Sequence, residues 1–420
     1  MPLFQHFQQQ CEQRLPNTQD FLVGLSGGVD SVVLLHLFSR TNFNIRAIYI
    51  HHGLSPNADS WAALCEQYCK RLNIPFILQK VTVDAINGVE SGAREARYHT
   101  IQQQLKSHEI LATAHHLDDQ AETFFLALKR GSGIKGLSAM QAVTFLQNFT
   151  VFRPLLSFSK AEILAYATQH QLVWIEDESN ADNRFDRNFF RNEVLPLLNQ
   201  RWQQFSEMVA RSAQHCAEQQ ELIKELLNDE LVKRIGERNQ FSVANFEDFS
   251  SLKQQQLVRL WLEKCGVMMP SQAQLQAVIS ELIFANADKN PHVKIGEKVI
   301  RRYQQAIYMT DEIPETPAFE IKLGTETELD LPYQLGTITR NQQEIICKKN
   351  EKTHRLLLPK ELAQELISLK IGQQGKVKCY GKRHREEMKK IWQQQNVPVW
   401  ERSHTLLVFW QDEWVACLKS

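Results

Sequence analysis

Residues 26–31 read Ser-Gly-Gly-Val-Asp-Ser, directly after the apolar run FLVGL and directly before VVLLHLFSR. Gly27 and Gly28 let the backbone turn sharply and present bare N–H groups to an anion where a helix begins. Ser26 and Ser31 bring hydroxyl donors for phosphate oxygens. Asp30 would repel phosphate unless a divalent cation stood between them, so it reads as a Mg²⁺ ligand. The G-K-[ST] ending of a Walker loop is missing, which argues against that class's grip on the β and γ phosphates. The six residues Ser26, Gly27, Gly28, Val29, Asp30 and Ser31 are therefore expected to cradle phosphates in another way.

A second cluster, HHLDDQAET, places His115 and His116 at the carboxyl end of an expected strand, where α/β sheets bind ligands. Asp118, Asp119 and Glu122 follow on the next helix, and Asp119 and Glu122, three apart, share a face. Acids at a helix start also stabilise the helix by themselves, a role that suits Asp118. Asp119 is expected to join Asp30 on Mg²⁺. His115 is expected at the phosphates or the acceptor base, and for His116 a structural hydrogen bond is a fair rival. In GAREARY, Arg94 and Arg97 lie one turn apart and could meet charge developing on a phosphate or base. Solvated surface arginines are the plainer reading. KRGSGIKGL combines three glycines with Lys129, Arg130 and Lys135, and is expected to be a mobile basic loop.

These residues need a frame. Short apolar runs at FLVGL, IRAIYI, IPFILQKVTV and EILATAH alternate with helical patterns, which predicts an α/β fold, a doubly wound, Rossmann-like parallel sheet covered on both faces. Ser159 and Glu162 fit a capping box that opens a further helix. A polar helical stretch runs from about 190 to 236. Residues 240–312 read as two helices and a two-strand pattern, and the last ninety residues as mostly strand with one basic helix at about 382–395. The expected divisions are 1–215, 216–315 and 316–420, the second mostly helical and the third α+β.

Lys+Arg and Asp+Glu balance at 48 each, so any polyanion must be met by local charge. Between 376 and 402, Lys376, Lys378, Lys382, Arg383, Arg385, Lys389, Lys390 and Arg402 outnumber Glu386, Glu387 and Glu401, with Trp392 and Trp400 interleaved. That pattern suits a phosphate backbone and stacked bases, although a solvated basic face over core tryptophans fits each residue almost as well. Arg184, Arg187, Arg191, Arg301 and Arg302 are further candidates. The eight cysteines lack C-x-x-C spacing, there is no leader-like start, and no run of 18 apolar residues occurs. A cytoplasmic protein with reduced thiols and no membrane partner is expected.

The string S-G-G-V-D-S resembles the pyrophosphate loop of the ATP-pyrophosphatases, which split ATP between its α and β phosphates. It is joined, in order, by HHGLSPNADSWA, NGVESGAREARYHTI, LATAHHLDDQAETFFLALKRGSGIKGL, FRPLL and DESNADNRFDRNFFRNEVLPLL. Over most of residues 20–200 the chain thereby resembles the tRNA(Ile)-lysidine synthetase family. Residues 240–312 are similar to that family's middle domain, and VPVWERSHTLLVFWQDEWVACL to the end of its C-terminal domain. The resemblance implies ATP and Mg²⁺, free L-lysine, and an isoleucine tRNA with a CAU anticodon whose wobble cytidine is adenylated at O2 and then attacked at C2 by lysine. It implies catalytic roles for Asp30, Arg94, Arg97, His115 and Asp119, with tRNA on Arg130, Lys135, Arg187, Arg191, Lys382, Arg383 and Arg385.

Rival readings are weaker. A glutaminase-linked synthetase of this loop class would carry a nucleophilic cysteine after Met1 or in G-x-C-x-G. Pro2 follows Met1, and no such turn occurs. A tRNA sulfur transferase would need the missing C-x-x-C. A non-catalytic nucleotide-binding RNA module stands against intact Asp30, Asp119 and both serines. Neither oligomeric state nor the lysine pocket is legible.

Overall fold

The computed structural model describes residues 2–53, 55–82, 89–146, 148–267, 269–285, 291–349 and 352–418, with only the backbone at 89–91, 95 and 238. Leu54, Val83 and residues 87–88 of the quoted stretches lie outside the described residues. The chain forms two compact units, Met1–Leu226 and Leu227–Ser420.

In the first unit, helix α1 (Leu3–Arg14) precedes β1 (Asp20–Gly24), α2 (Val29–Ser39), β2 (Asn44–His51), α3 (Ala58–Arg71) and β3 (Phe76–Lys80). Then come α4 (Val89–Gln104), β4 (Ile110–Ala112), α5 (Leu117–Lys129), α6 (Ile134–Leu137), β5 (Val143–Leu146), β6 (Phe149–Phe152) and α7 (Lys160–Gln169). The sheet order is β3-β2-β1-β4-β6-β5. Every pairing is parallel except that of the edge strand β5 with β6. The β5–β6 hairpin had no counterpart among the expected strands.

β1 is the central strand, and its Phe21, Leu22 and Val23 are fully buried because helices cover both faces. The apolar residues that follow the glycine loop make α2 a buried helix rather than an amphipathic one: Val32, Val33, Leu34, Leu35, Leu37 and Phe38 all lie in the core. Each such side chain contributes about 1.5–3 kcal/mol of transfer free energy. Phe38 is wedged edge-on against Phe7 and tilted against Phe21 at centroid distances of 4.9 and 4.8 Å. This packing fixes both ends of the turn between β1 and α2. The strand order reverses between β1 and β4, so the crevice beyond their carboxyl ends is the topological switch point.

The helix pattern after 185 resolves into α8 (Asp186–Phe189), a π-helical turn at Phe190–Val194, α9 (Leu195–Arg201) and the 30-residue α10 (Phe205–Arg234).

In the second unit, helices at Ser251–Lys264 and Gln272–Ala277 accompany a four-stranded sheet, with Trp261, Phe241, Phe246 and Ile300 at the core. Three strands, His292–Ile295, Lys298–Tyr303 and Ala306–Asp311, occupy the segment expected to hold two, because Gly296 and Gln304 both adopt positive φ and reverse the chain twice. Two further sheets, of four and six strands, build the remainder. Arg340, 1% exposed, donates to the carbonyls of Leu323, Gln342, Leu362, Ala363 and Glu365 and so ties loops from both sheets together. The basic helix is shorter than expected, Met388–Gln394, because Arg385–Glu387 pairs as a strand with Lys376–Lys378.

Candidate active site

The turn after β1 is organised from within. Ser31 Oγ, buried in the first turn of α2, accepts the amides of Ser26 and Gly27 and the Ser26 hydroxyl, each at 3.1 Å, and donates to Gly28 O at 2.9 Å. Ser31 therefore shapes the loop instead of offering its hydroxyl outward, as the sequence had led us to expect. Gly27 adopts φ +87°, and its carbonyl takes the amide of Ile175 at 2.9 Å. Gly28 is the N-cap of α2 and provides no side-chain cap, so the first amides of the helix remain outstanding donors.

The turn after β4 brings the second cluster to the same crevice. His116 is the N-cap of α5: in its neutral form its Nδ1 accepts the Asp118 amide at 3.2 Å, and its own amide donates to Asp119 Oδ2 at 3.0 Å. His116 Nε2 then stands 3.5 Å from Asp119 Oδ2 and 3.8 Å from Asp30 Oδ1. Burial lowers the His116 pKa, but Asp118, Asp119 and Asp30 outweigh it and leave the value raised. Burial opposes ionisation of Asp119, yet His116, His115, the His116 amide and Arg191 hold its pKa below the ordinary value. Asp118 accepts the Lys160 amide at 2.8 Å and so joins α5 to α7.

Two basic residues complete this side, and neither partnership was anticipated. Lys160 Nζ bonds both oxygens of Asp30 at 2.8 and 2.7 Å. Its position at the start of α7 is fixed by the Ser159–Glu162 capping box, which the sequence did reveal. Arg191, on the π-helical turn, grips the wholly buried Glu122 with two nitrogens at 2.6 and 2.9 Å and reaches Asp119 at 3.1 Å. Arg187 lies 3.4 Å from Glu122. Both arginines, expected on tRNA, are thus placed inside the crevice. Lys160 and Arg191 are 130 and 69 residues from their partners, and no local pattern marks such pairs.

His115, the residue before that cap, has Nδ1 2.9 Å from Thr113 Oγ1. Burial, with Arg153, Arg97 and Arg94 nearby, holds its ring neutral, against the pull of Asp119. Burial also lowers the pKa of Arg97, reinforced by Arg94 and Arg187. Arg94 and Arg97 lie 5.1 and 5.6 Å from the Tyr98 ring. Among the described residues no carboxylate pairs with Arg97, so this flank is a concentration of cations. A cavity of about 370 Å³ is lined by Asp30, His116, Glu122, Lys160 and Arg191 with Asn180 and Asn199.

Other candidates lie elsewhere. Arg130 and Lys135 are exposed around α6, which makes the expected mobile loop partly helical. Arg302 donates to the carbonyls of Leu282, Ile283 and Ala285 and closes a helix end. Trp392 and Trp400 are buried, so the core-packing alternative holds for them. Lys382, Arg383 and Arg385 are exposed, with Lys382 paired to Glu386 at 2.7 Å. Burial pushes the thiols of Cys11, Cys65 and Cys69 up to about 12. No helix among the described residues is long and apolar enough to cross a membrane.

A parallel sheet with an S-G-G-V-D-S loop at its switch point is the architecture of a PP-loop domain, and the PP-loop domain model matches residues 3–198. The TilS substrate binding domain matches residues 241–308, and the TilS substrate C-terminal domain residues 367–418. The tRNA(Ile)-lysidine synthase of Actinobacillus pleuropneumoniae serotype 3 is 56% identical over 98% of this chain and 99% of its own length. That of Haemophilus ducreyi is 54% identical over 99% and 97%, and that of Haemophilus influenzae strain 86-028NP 47% identical over 94% and 93%. The chain belongs to the tRNA(Ile)-lysidine synthase family.

Proposed function

We infer that the protein is an ATP-dependent ligase that joins free L-lysine to C2 of the wobble cytidine of an isoleucine tRNA with a CAU anticodon, releasing AMP and pyrophosphate. The observation that carries this reading is the meeting, at one switch-point crevice, of a glycine loop with open amides, an acidic cluster and a concentration of arginines. The loop amides from Gly28 onward bind the outer phosphates of ATP. Arg94 and Arg97, with the neutral His115 beside them, stabilise charge that builds on the α-phosphate as the cytidine oxygen attacks in line.

Asp30 and Asp119 meet at His116 Nε2, and Lys160 also holds Asp30; with an ion in place of these cations the two carboxylates would suit Mg²⁺, phosphate oxygens and water completing its sphere. These two residues would hold the ion, and bound there it supplies neutralising charge to the departing pyrophosphate. The cavity beside them, lined by Leu195 and Pro196 as well as by Asp30, Asp118 and Arg191, would take the lysine's aliphatic chain, with an acid for its ammonium and Arg191 for its carboxylate. Holding amine and adenylated base together converts the second step into an effectively unimolecular one.

The exposed Arg130, Lys135, Lys382, Arg383 and Arg385 take tRNA phosphates. We divide the chain functionally at 1–215, 216–315 and 316–420, the first part catalytic and the others for tRNA. A pyrophosphate-release assay tests the reading. Full-length protein with ATP and Mg²⁺ should release pyrophosphate only when a CAU-anticodon isoleucine tRNA transcript is added, and Arg97→Gln should slow release at least tenfold. Equal release without RNA would refute it.

A further inference from the structure

The helical turn that carries Arg187 and Arg191 into the crevice has a second face. Phe185 and Phe189, linked by the Phe189 amide donating to the Phe185 carbonyl at 2.9 Å, lie one turn apart and are 42% and 45% exposed. Arg184 beside them is almost fully exposed at its side chain, and its partner Asp182 is its own near neighbour in sequence. Rings this large are usually covered, so two exposed rings flanked by a guanidinium call for a partner. The same short segment thus brings Arg187 to Glu122 and Arg191 to Glu122 and Asp119, while Phe185 and Phe189, the latter tilted against Phe190 at 6.1 Å, keep just under half of their surface exposed.

On the proposed function, the reacting base must leave its stack before its O2 and C2 can enter the crevice, and its neighbours then need new surfaces to rest upon. An apolar face with an arginine at its margin matches single-stranded nucleotides, whose bases are flat and whose phosphates are anionic. We propose that Phe185 and Phe189 form a stacking platform for the unstacked anticodon-loop bases that flank the reacting cytidine, with Arg184 contacting the adjoining phosphate. This inference rests on the tRNA reading. The rigid tie of the helix to Glu122 would make the platform a gauge of position: a base seated on it sets how deeply its neighbour reaches.

The test uses full-length protein and a CAU-anticodon isoleucine tRNA transcript carrying 2-aminopurine beside the wobble cytidine. Wild-type protein should change the probe's fluorescence on binding. Phe185→Ala and Phe189→Ala should each weaken tRNA binding about tenfold, and the double variant should abolish the fluorescence change. The KM for ATP should stay unchanged, and Phe185→Tyr with Phe189→Tyr should restore the signal. The phenylalanine variants should leave the salt dependence of binding as it was, whereas Arg184→Gln should reduce its log–log slope by about one. If the double variant binds and quenches like wild type, the platform is refuted. An unaltered tRNA affinity accompanied by a change in oligomeric state would refute it too, and would assign the face to a second copy. Failure of wild-type protein to modify the tRNA would instead strike the functional reading itself.

Discussion

A Cβ on Gly27 would overlap the Ile175 Cδ1 methyl and press on Cys65 Sγ at 3.2 Å, at a φ of +87° that side chains rarely adopt. A Cβ on Gly28 would meet only Ser26 Oγ, at 3.6 Å. The first glycine serves the fold, whereas a side chain at the second would enter open space, where the proposed nucleotide binds. Gly27→Ala should therefore destabilise the protein by about 1–3 kcal/mol. Gly28→Ala should leave thermal stability within about 0.5 kcal/mol of wild type and weaken ATP binding at least tenfold. Calorimetric melting and ATP titration of both variants separate these effects; equal destabilisation would contradict the distinction.

His116 makes a pH prediction at the same scale. Its raised pKa means that the protonated ring contributes stability fully below the ordinary 6.5, and that this is lost as pH rises through the folded value. The lowered pKa values of Asp118 and Asp119 act in the other direction: their contribution is present above the ordinary 3.8 and lost as pH falls through the folded values. All three groups contribute together between those two ordinary values. Asp119→Asn should lower the His116 pKa, read from imidazole NMR titration. An unchanged pKa would show that Asp119 does not set it.

At the scale of elements, the crevice is assembled by helix starts and one irregular turn. α5 begins with the His116–Asp119 box, α7 with the Ser159–Glu162 box, and the π-helical turn aims Arg191 at both acids. Extra residues in a helical turn redirect side chains in this way at functional sites. Ser159→Ala should cost about 1 kcal/mol through the lost cap and, by loosening the start of α7, free Lys160 from Asp30. Denaturant melts and the KM for ATP would register both, and an unaltered KM would separate Lys160 from the nucleotide.

The Ser159–Glu162 box was legible in the sequence because its partners lie three residues apart and are of the usual capping types; the His116–Asp119 box is as local but caps with a histidine, which that pattern does not include. The switch-point sheet was legible because period and punctuation are local too. Lys160 on Asp30 and Arg191 on Glu122 were not, since only the folded chain brings them together. Trp392 and Trp400 show the remaining limit: an aromatic between lysines has the same spelling whether it packs inward or faces a base. The shortened basic helix lost its first turn to strand pairing, a tertiary preference that outweighed a helical pattern.

For the whole molecule, equal numbers of acidic and basic residues leave no long-range attraction to a polyanion, so tRNA affinity must come from local surfaces. Among the described residues no acid is paired with Arg383 or Arg385. Replacing Lys382, Arg383 and Arg385 together by glutamine should flatten the log–log salt dependence of tRNA binding by about two to three while ATP affinity holds. A slope that stays the same would remove this patch from the interface.

The most direct measurement combines ATP, Mg²⁺, radiolabelled lysine and an unmodified isoleucine tRNA transcript with a CAU anticodon. Label should become covalently attached to the tRNA, with AMP and pyrophosphate formed in equal amounts, and Asp30→Ala should abolish the transfer. Pyrophosphate release without any label on the tRNA would contradict lysine ligation, and undiminished transfer by Asp30→Ala would contradict the site.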